Sequence, residues 1–259
     1  MQLTEITDLN TPSLEIYRQL RDKTFSADNS FIADSPKVVN ILLESSIQVK
    51  SLLATKEYYE EFKELISHKE IPFLYVADKK VMESIVGHKI HHNCMMHGVR
   101  PKESPLDKLG DQIIMLDEIS STENIGSIAR SAAALGVDSY LLPKQGPHPF
   151  NRRALRVSMG LASRLKINQY DDIFATLKTL RAKGYKIFAA EVTADATPLA
   201  EATVPEKWVL LMGHEGKGLS QEVLDACDEA VQIEMDPDIK SFNVGVAASI
   251  MMYQFKQQS

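Results

Sequence analysis

The chain is poor in cysteine. Cys94 and Cys227 are the only two in 259 residues, and they lie far apart. No disulfide framework is implied, and a reducing cytoplasm is the expected compartment. No apolar run approaches the ~18 residues needed to span a bilayer, so no membrane partner is expected. The first thirty residues are mixed and acidic. Without a basic start and an apolar block they do not read as a signal peptide. Positive charge is not in surplus either: 29 Lys and Arg face 35 Asp and Glu, a formal net charge of −6. There are 13 basic and 16 acidic residues before Lys108, and 16 and 19 from it onward, so neither half is a basic arm. This balance argues against general coating of nucleic acid but leaves room for a local basic patch. Internal repeats and low-complexity tracts are absent from the sequence. So are the phosphate-loop ending Gly-Lys-Ser/Thr and the dinucleotide fingerprint Gly-x-Gly-x-x-Gly.

What is present is the pattern of a soluble α/β protein. The length suits one large or two modest domains. In the N-terminal part, spacing predicts a helix over Ser13–Leu20 and a strand over Phe31–Ala33. Ser35 and Pro36 read as cap and first-turn proline of a following helix. A strand over Ile47–Leu53, a helix over Glu57–Ser67, a strand over Phe73–Val76 and a helix over Lys79–Ile85 complete this part. Val99–Pro105, with two prolines, reads as a linker. The expected domains are therefore 1–105 and 106–259, the second able to fold without the first. The second part opens on Gln112–Leu116, apolar after its first residue, as suits a sheet covered on both faces. Helices are expected over 124–136, near 152–160, over 171–183 and from Asn243 to about Lys256. Strands are expected over 139–142, 186–190, 208–213 and 230–234. Alternating β and α elements predict a mainly parallel sheet.

Three short segments sit where strands give way to loops or helices, which is where open α/β sheets gather their binding sites. The first is Asn124-Ile-Gly-Ser-Ile-Ala-Arg130. Asn124 reads as a helix cap, and Arg130 can lean back over the gap left by Gly126. Its guanidinium there could grip a phosphate or stabilise an alkoxide. The plain alternative is a capped helix with one solvated arginine. The second is Gly213-His-Glu-Gly-Lys-Gly-Leu-Ser220, whose glycines permit tight turns and close approach of a ligand to backbone. Its carboxylate, Glu215, either binds or orients within a site, or is solvated in a simple turn. The third is Ile233-Glu-Met235 followed by Ser241-Phe-Asn-Val244, with Ser241 or Asn243 as cap of the last helix. Small residues in that helix, Gly245, Ala247 and Ala248, suit close packing, within one subunit or against another. His91-His-Asn-Cys94-Met-Met-His97 contains four candidate metal ligands. No second spaced cluster follows, so it reads as strand or linker, and no metal is expected. Arg152, Arg153 and Arg156, with Arg164 and Lys166 nearby, are the best basic patch and a candidate phosphate contact, or else a solvated helix face.

Together and in order, these segments resemble the SpoU/TrmH branch of the SPOUT RNA methyltransferases. Asn124, Gly126 and Arg130 match the family's first motif. Gly213, Glu215, Gly218 and Leu219 match the second. Ile233, Met235, Ser241, Asn243 and Val244 match the third. Asn151–Gly160 resembles the family's basic helix leading to Ser-x-Gly. The N-terminal part resembles the ribosomal-protein-like RNA-binding domain fused to many members, through Ile32-Ala33, Val49–Leu52 and Lys79–Gly87. Glu234, Phe242 and Gly245 depart from the family's usual proline, leucine and serine.

The resemblance implies a trefoil-knotted C-terminal domain and a homodimer with its site completed across the interface. It implies S-adenosylmethionine as cofactor, held by backbone at Gly213, Ile233 and Phe242, with Met235 and Asn243 beside it. The implied reaction is methylation of an RNA ribose 2′-hydroxyl, ribosomal RNA being favoured by the fused domain. Transfer RNA is the alternative substrate, and a non-catalytic RNA-binding protein of the same fold is the alternative role. The residue matching Arg130 has been proposed as the family's base. A guanidinium with a pKa above ~12 suits a phosphate clamp and alkoxide stabiliser better. Asn124 would hold Arg130 or the ribose, while Glu215, Ser241 and Asn243 would orient nucleotide and loops.

Overall fold

The computed structural model describes residues 2–18, 28–236 and 238–258. Its strands are β1 (Thr4–Glu5), β2 (Ser30–Asp34), β3 (Gln48–Ala54), β4 (Phe73–Val76), β5 (Cys94–Val99) and β6 (Gln112–Leu116). These are followed by β7 (Ser139–Pro143), β8 (Lys166–Tyr170), β9 (Lys186–Ala190), β10 (Thr197–Pro198), β11 (Trp208–Met212) and β12 (Glu229–Gln232). The helices are α1 (Glu15–Arg18), α2 (Pro36–Glu44), α3 (Lys56–Glu61), α4 (Lys63–Ser67) and α5 (Lys79–Val86). Beyond them come α6 (Thr122–Leu135), α7 (Arg152–Val157), α8 (Ile173–Ala182), α9 (Gln221–Asp225) and α10 (Val244–Gln258).

Contacts divide the chain into two compact units. Unit 1 is Met1–Lys102 with Phe150–Ser163, and unit 2 is Glu103–Pro149 with Arg164–Ser259. The expected division at residue 105 therefore needs correction, because α7 and its flanks group with the N-terminal residues. The reason is visible within unit 1. Phe150 stacks edge-on against Phe31 at 5.1 Å. Gly160 packs against the Val38 carbonyl. Arg152 of α7 binds the buried Asp34 through two hydrogen bonds of 2.5 and 3.1 Å.

Unit 1 is built on a five-stranded sheet of order β1-β4-β3-β5-β2. The β1, β4 and β3 neighbours are parallel, while β5 runs antiparallel to β3 and β2. Leu53, Ile32, Met82 and Met95 lie in its core. The predicted strands and the helices at 36–44 and 79–86 are present with small shifts of boundary. Three details differ. The expected helix over Ser13–Leu20 begins as a 3₁₀ turn and continues as α1, and its last two residues lie outside the described ones. Ser35 takes φ +78° and makes no capping bond with its side chain. The helix expected over 57–67 breaks at Phe62 into α3 and α4.

Unit 2 carries a seven-stranded sheet of order β10-β12-β9-β11-β6-β7-β8, parallel at every pairing. β11 is buried at all five positions and β6 at its last four, as central strands covered on both faces must be. Parallel order brings the C-terminal ends of β9, β11, β6 and β12 to one edge of the unit. Among the described residues no helix is long and apolar enough to cross a membrane.

Candidate active site

The first motif occupies the start of α6. Its cap is Ser121, whose hydroxyl accepts from the Asn124 amide, so the capping role expected of Asn124 falls to a residue three earlier. Asn124 is thereby free to reach outward. Its Nδ2 donates to Glu215 Oε1 at 3.0 Å, and its Oδ1 accepts from Asn243 Nδ2 at 3.1 Å. Asn243 does cap its helix: Oδ1 accepts from the Gly245 and Val246 amides at 3.0 and 3.4 Å. One line of hydrogen bonds thus joins a residue of each motif. The motifs are 91 and 119 residues apart across these two bonds, so the fold, not the chain, makes the constellation.

Glu215 is its anchor. Besides Asn124, its carboxylate accepts from the Ser120 and Ser121 amides at 3.2 and 3.0 Å and from the Ser120 hydroxyl at 3.3 Å. Burial pushes this carboxyl up. Hydrogen bonds from Asn124, its own amide and the Ser121 and Ser120 amides together outweigh that and hold the pKa at about 2. Arg130 is exposed on α6, one turn beyond Gly126. Among the described residues its guanidinium has no hydrogen-bond or ion-pair partner, so it is available to an incoming anion.

Beside this line lies a cleft of about 290 Å³ at the ends of β9, β11 and β12. Gly213, Ile233, Met235, Phe242, Ser241 and Glu215 all border it. Asn124 and Asn243 do not and form the hydrogen-bonded line instead, and Arg130 is in neither. The loop after β11 requires glycine at its first position. A Cβ on Gly213 would lie 2.6 Å from the Gly218 carbonyl carbon, a backbone atom that cannot yield. Val192, Met212 and Met251 supply apolar wall. Sequence reasoning missed Glu191, which also lines the cleft. The only available signal was its position directly after the apolar run Lys186–Ala190.

The basic residues of α7 differ in their surroundings. Arg152 is engaged by Asp34, and Arg156 stands 3.7 Å from the same carboxylate. Arg153 is exposed. All three belong to unit 1, whereas Arg164 and Lys166 belong to unit 2, where Lys166 pairs with Asp138 at 2.6 Å. The His91–His97 run becomes β5 from Cys94 onward. Cys94 is fully buried, and His97 bonds Ser30 at 2.8 Å, with burial holding its pKa down at about 4. Among the described residues no group of three or more His, Cys, Asp or Glu side chains could hold a metal.

Against known proteins, residues 111–253 match the SpoU rRNA methylase family, more than half of the chain. The chain belongs to that family. An uncharacterized tRNA/rRNA methyltransferase of Mycobacterium bovis is 28% identical over 265 residues, covering 98% of this chain and 92% of that one. The AdoMet-bound rRNA methyltransferase of Sinorhizobium meliloti has the same fold: TM-score 0.85 over 99% of this chain and 98% of that one, at 23% identity. A structure described as explaining 2-OH methylation of C/U34 on tRNA is 28% identical, with TM-score 0.51, over 57% of this chain and 95% of its own. The α/β, parallel-sheet SPOUT architecture expected from the sequence is the one these neighbours share.

Proposed function

We propose that this SpoU-family methylase transfers a methyl group from S-adenosylmethionine to a ribose 2′-hydroxyl of RNA. The observation that carries this is the Glu215–Asn124–Asn243 line, which fastens the three motifs beside the cleft. The cleft fits the cofactor on two counts. Its volume lies near the lower end of the ~300–1,000 Å³ of small-molecule sites. Its floor is backbone, at a turn where a side chain on Gly213 would collide, and its walls are apolar. Backbone groups of Gly213, Ile233 and Phe242 would hold the cofactor, with Met235 alongside. When bound, it supplies a methyl group made electrophilic by a sulfonium.

The protein's own groups do the rest. Arg130 clamps the phosphate beside the target ribose and stabilises the negative charge on the 2′-oxygen as its proton passes to solvent water. It does so as a cation, because a guanidinium stays protonated in proteins and does not serve as base. Asn124, Glu215 and Asn243 hold α6 and the motif loops in register, and Ser241 at the cleft edge orients the nucleotide. Holding both reactants is itself a large part of the rate, since effective molarities can reach ~10⁵ M or more. A homodimer is supported by α10, whose Val246, Ile250 and Tyr253 are 46, 37 and 57% exposed at helical spacing. Ribosomal RNA is the proposed substrate. The tRNA-directed structure uses 95% of its length on 57% of this chain, so it lacks a counterpart to the remainder. Transfer RNA is the second reading, favoured by the 28% identity of that match.

The test is methyl transfer from labelled cofactor to total RNA, with the products digested and read as nucleosides by mass spectrometry. A 2′-O-methylated nucleoside is expected, and a methylated base would overturn the reading. Arg130→Ala should lower the transfer rate by ~10²–10³, the usual cost of one charge-stabilising donor, with cofactor affinity within about twofold of wild type.

A further inference from the structure

Glu191 lies outside all three motifs, yet its carboxylate is built into the cleft. It follows β9 directly and borders the same cavity as Gly213 and Ile233. Both oxygens are fixed. Oε2 accepts from the Leu219 amide at 2.9 Å and Oε1 from the Val192 amide at 3.1 Å. The chain makes room for it: Gly218 sits at φ +66°, and a Cβ there would come within 2.1 Å of Glu191 Oε2. Among the described residues, no Lys, Arg or His forms an ion pair with Glu191. Of the other charged groups lining the cleft, Glu215 is turned to Ser120, Ser121 and Asn124, and Lys217 is exposed on the loop. His214 directs Nδ1 to the Gly216 amide at 2.9 Å. The immobile charge at the β9 end of the cleft is therefore negative and unpaired.

From this geometry we infer that Glu191 is a specificity-determining residue that makes the cleft prefer the cationic sulfonium cofactor over the neutral thioether left after transfer. This rests on the cofactor assignment above. Transfer moves the methyl from sulfur to the ribose oxygen, the sulfur keeps the bonding pair, and the positive charge leaves the cofactor. A fixed carboxylate attracts the charged ligand and is indifferent to the uncharged one, so each turnover weakens the hold on the spent molecule. Preorganised charge acts in this way because nothing has to rotate when the ligand changes. Two unit charges several ångströms apart in a partly wet cleft correspond to roughly tenfold in affinity.

The experiment is isothermal titration of the full chain with S-adenosylmethionine and with S-adenosylhomocysteine, for wild type, Glu191→Gln and Glu191→Asp. Wild type should favour the sulfonium. The ratio of the two Kd values should shrink about tenfold in Glu191→Gln and persist in Glu191→Asp, even where shorter reach weakens both ligands. Equal weakening of both ligands in Glu191→Gln would reduce Glu191 to a loop brace and overturn the inference. Should the glutamine variant not fold, the wild-type ratio measured from low to high salt decides. It should narrow with salt, and a flat ratio overturns the inference. Failure of wild type to bind either ligand would instead overturn the cofactor reading, and this inference with it.

Discussion

Asp34 in unit 1 and Glu215 in unit 2 are both carboxylates with several neighbours, and they are held by opposite means. Asp34 has a side chain only 3% exposed and faces the guanidinium of Arg152, with Arg156 behind. Glu215 is exposed and faces amides and a hydroxyl, with no cation among the described residues. The Asp34–Arg152 ion pair holds Oδ2 of Asp34 through two hydrogen bonds and leaves Oδ1 buried with no hydrogen-bond partner among the described residues. A carboxylate held by neutral donors keeps its charge and fixes the donors around it, while Arg130, on the same helix as Asn124, has no partner among the described residues. The same contrast runs through the units. Unit 1 pairs several buried hydroxyls internally, as in Tyr17 with Ser51 and Tyr59 with the Leu52 and Tyr75 carbonyls. Unit 2 gathers its polar side chains at the strand ends. Chemistry is therefore expected in unit 2, and architecture in the Arg152 face of unit 1.

The largest effect that would test this contrast comes from deleting residues 1–105. Segment 150–163 would lose Phe31, Val38 and Asp34 at once. Phe150, Ala154 and Leu155, all at most 1% exposed, would be uncovered. The truncated chain is expected to aggregate, with hydrogen exchange over 150–163 near that of an unfolded segment. Retained protection there would show that this segment does not depend on unit 1. Next in size, Asp34→Ala should destabilise the protein by about 3 kcal/mol in urea unfolding, because it leaves a half-buried guanidinium unpaired. Arg152→Met in the same background should recover part of the loss, and no recovery would mean the pair is not what Asp34 serves.

The smallest expected effect concerns Glu215. Its folded pKa of about 2 lies below the ordinary 4.5. A carboxyl lowered in this way stabilises the fold fully above pH 4.5, and that contribution is lost as pH falls from 4.5 towards 2. Because the group is exposed, the contribution is less than about 1 kcal/mol. Wild type should lose stability more steeply than Glu215→Gln across that window. Parallel stability curves would show that the neutral donors around Glu215 do not favour its charged form.

Much of this was legible in the sequence, for identifiable reasons. Gln112–Leu116, Phe73–Val76 and Lys186–Ala190 were read with their observed bounds because apolar runs in parallel sheets carry their own contrast. β8 was not read. Its sequence, Lys-Ile-Asn-Gln-Tyr, is mixed, and it lies at a sheet edge where burial imposes less. α9 escaped because five residues behind a Ser220 cap give periodicity little to repeat. Ser121 and Asn124 are both good cap residues, and only the tertiary partner, Glu215, decides between them. The family motifs supplied most of the cleft, but Glu191 belongs to no motif and became visible only through Leu219 and Gly218.

The line from α10 to Glu215 also has a direction. The Gly245 amide donates to Asn243, Asn243 donates to Asn124, and Asn124 donates to Glu215. Each side-chain amide in it can be written only one way round, since turning either would set donor against donor or acceptor against acceptor. The sense of the whole line is imposed at one end by a helix that has only N–H groups to offer, and at the other by a carboxylate that can only receive. Loss of ammonia from either asparagine would convert a donor into an acceptor and stop the line at that point. The Ser120 and Ser121 amides would still hold Glu215 beside the start of α6, and what would be lost is the tie from the third motif to the other two or the direct tie from Asn124 to Glu215, according to which asparagine changed.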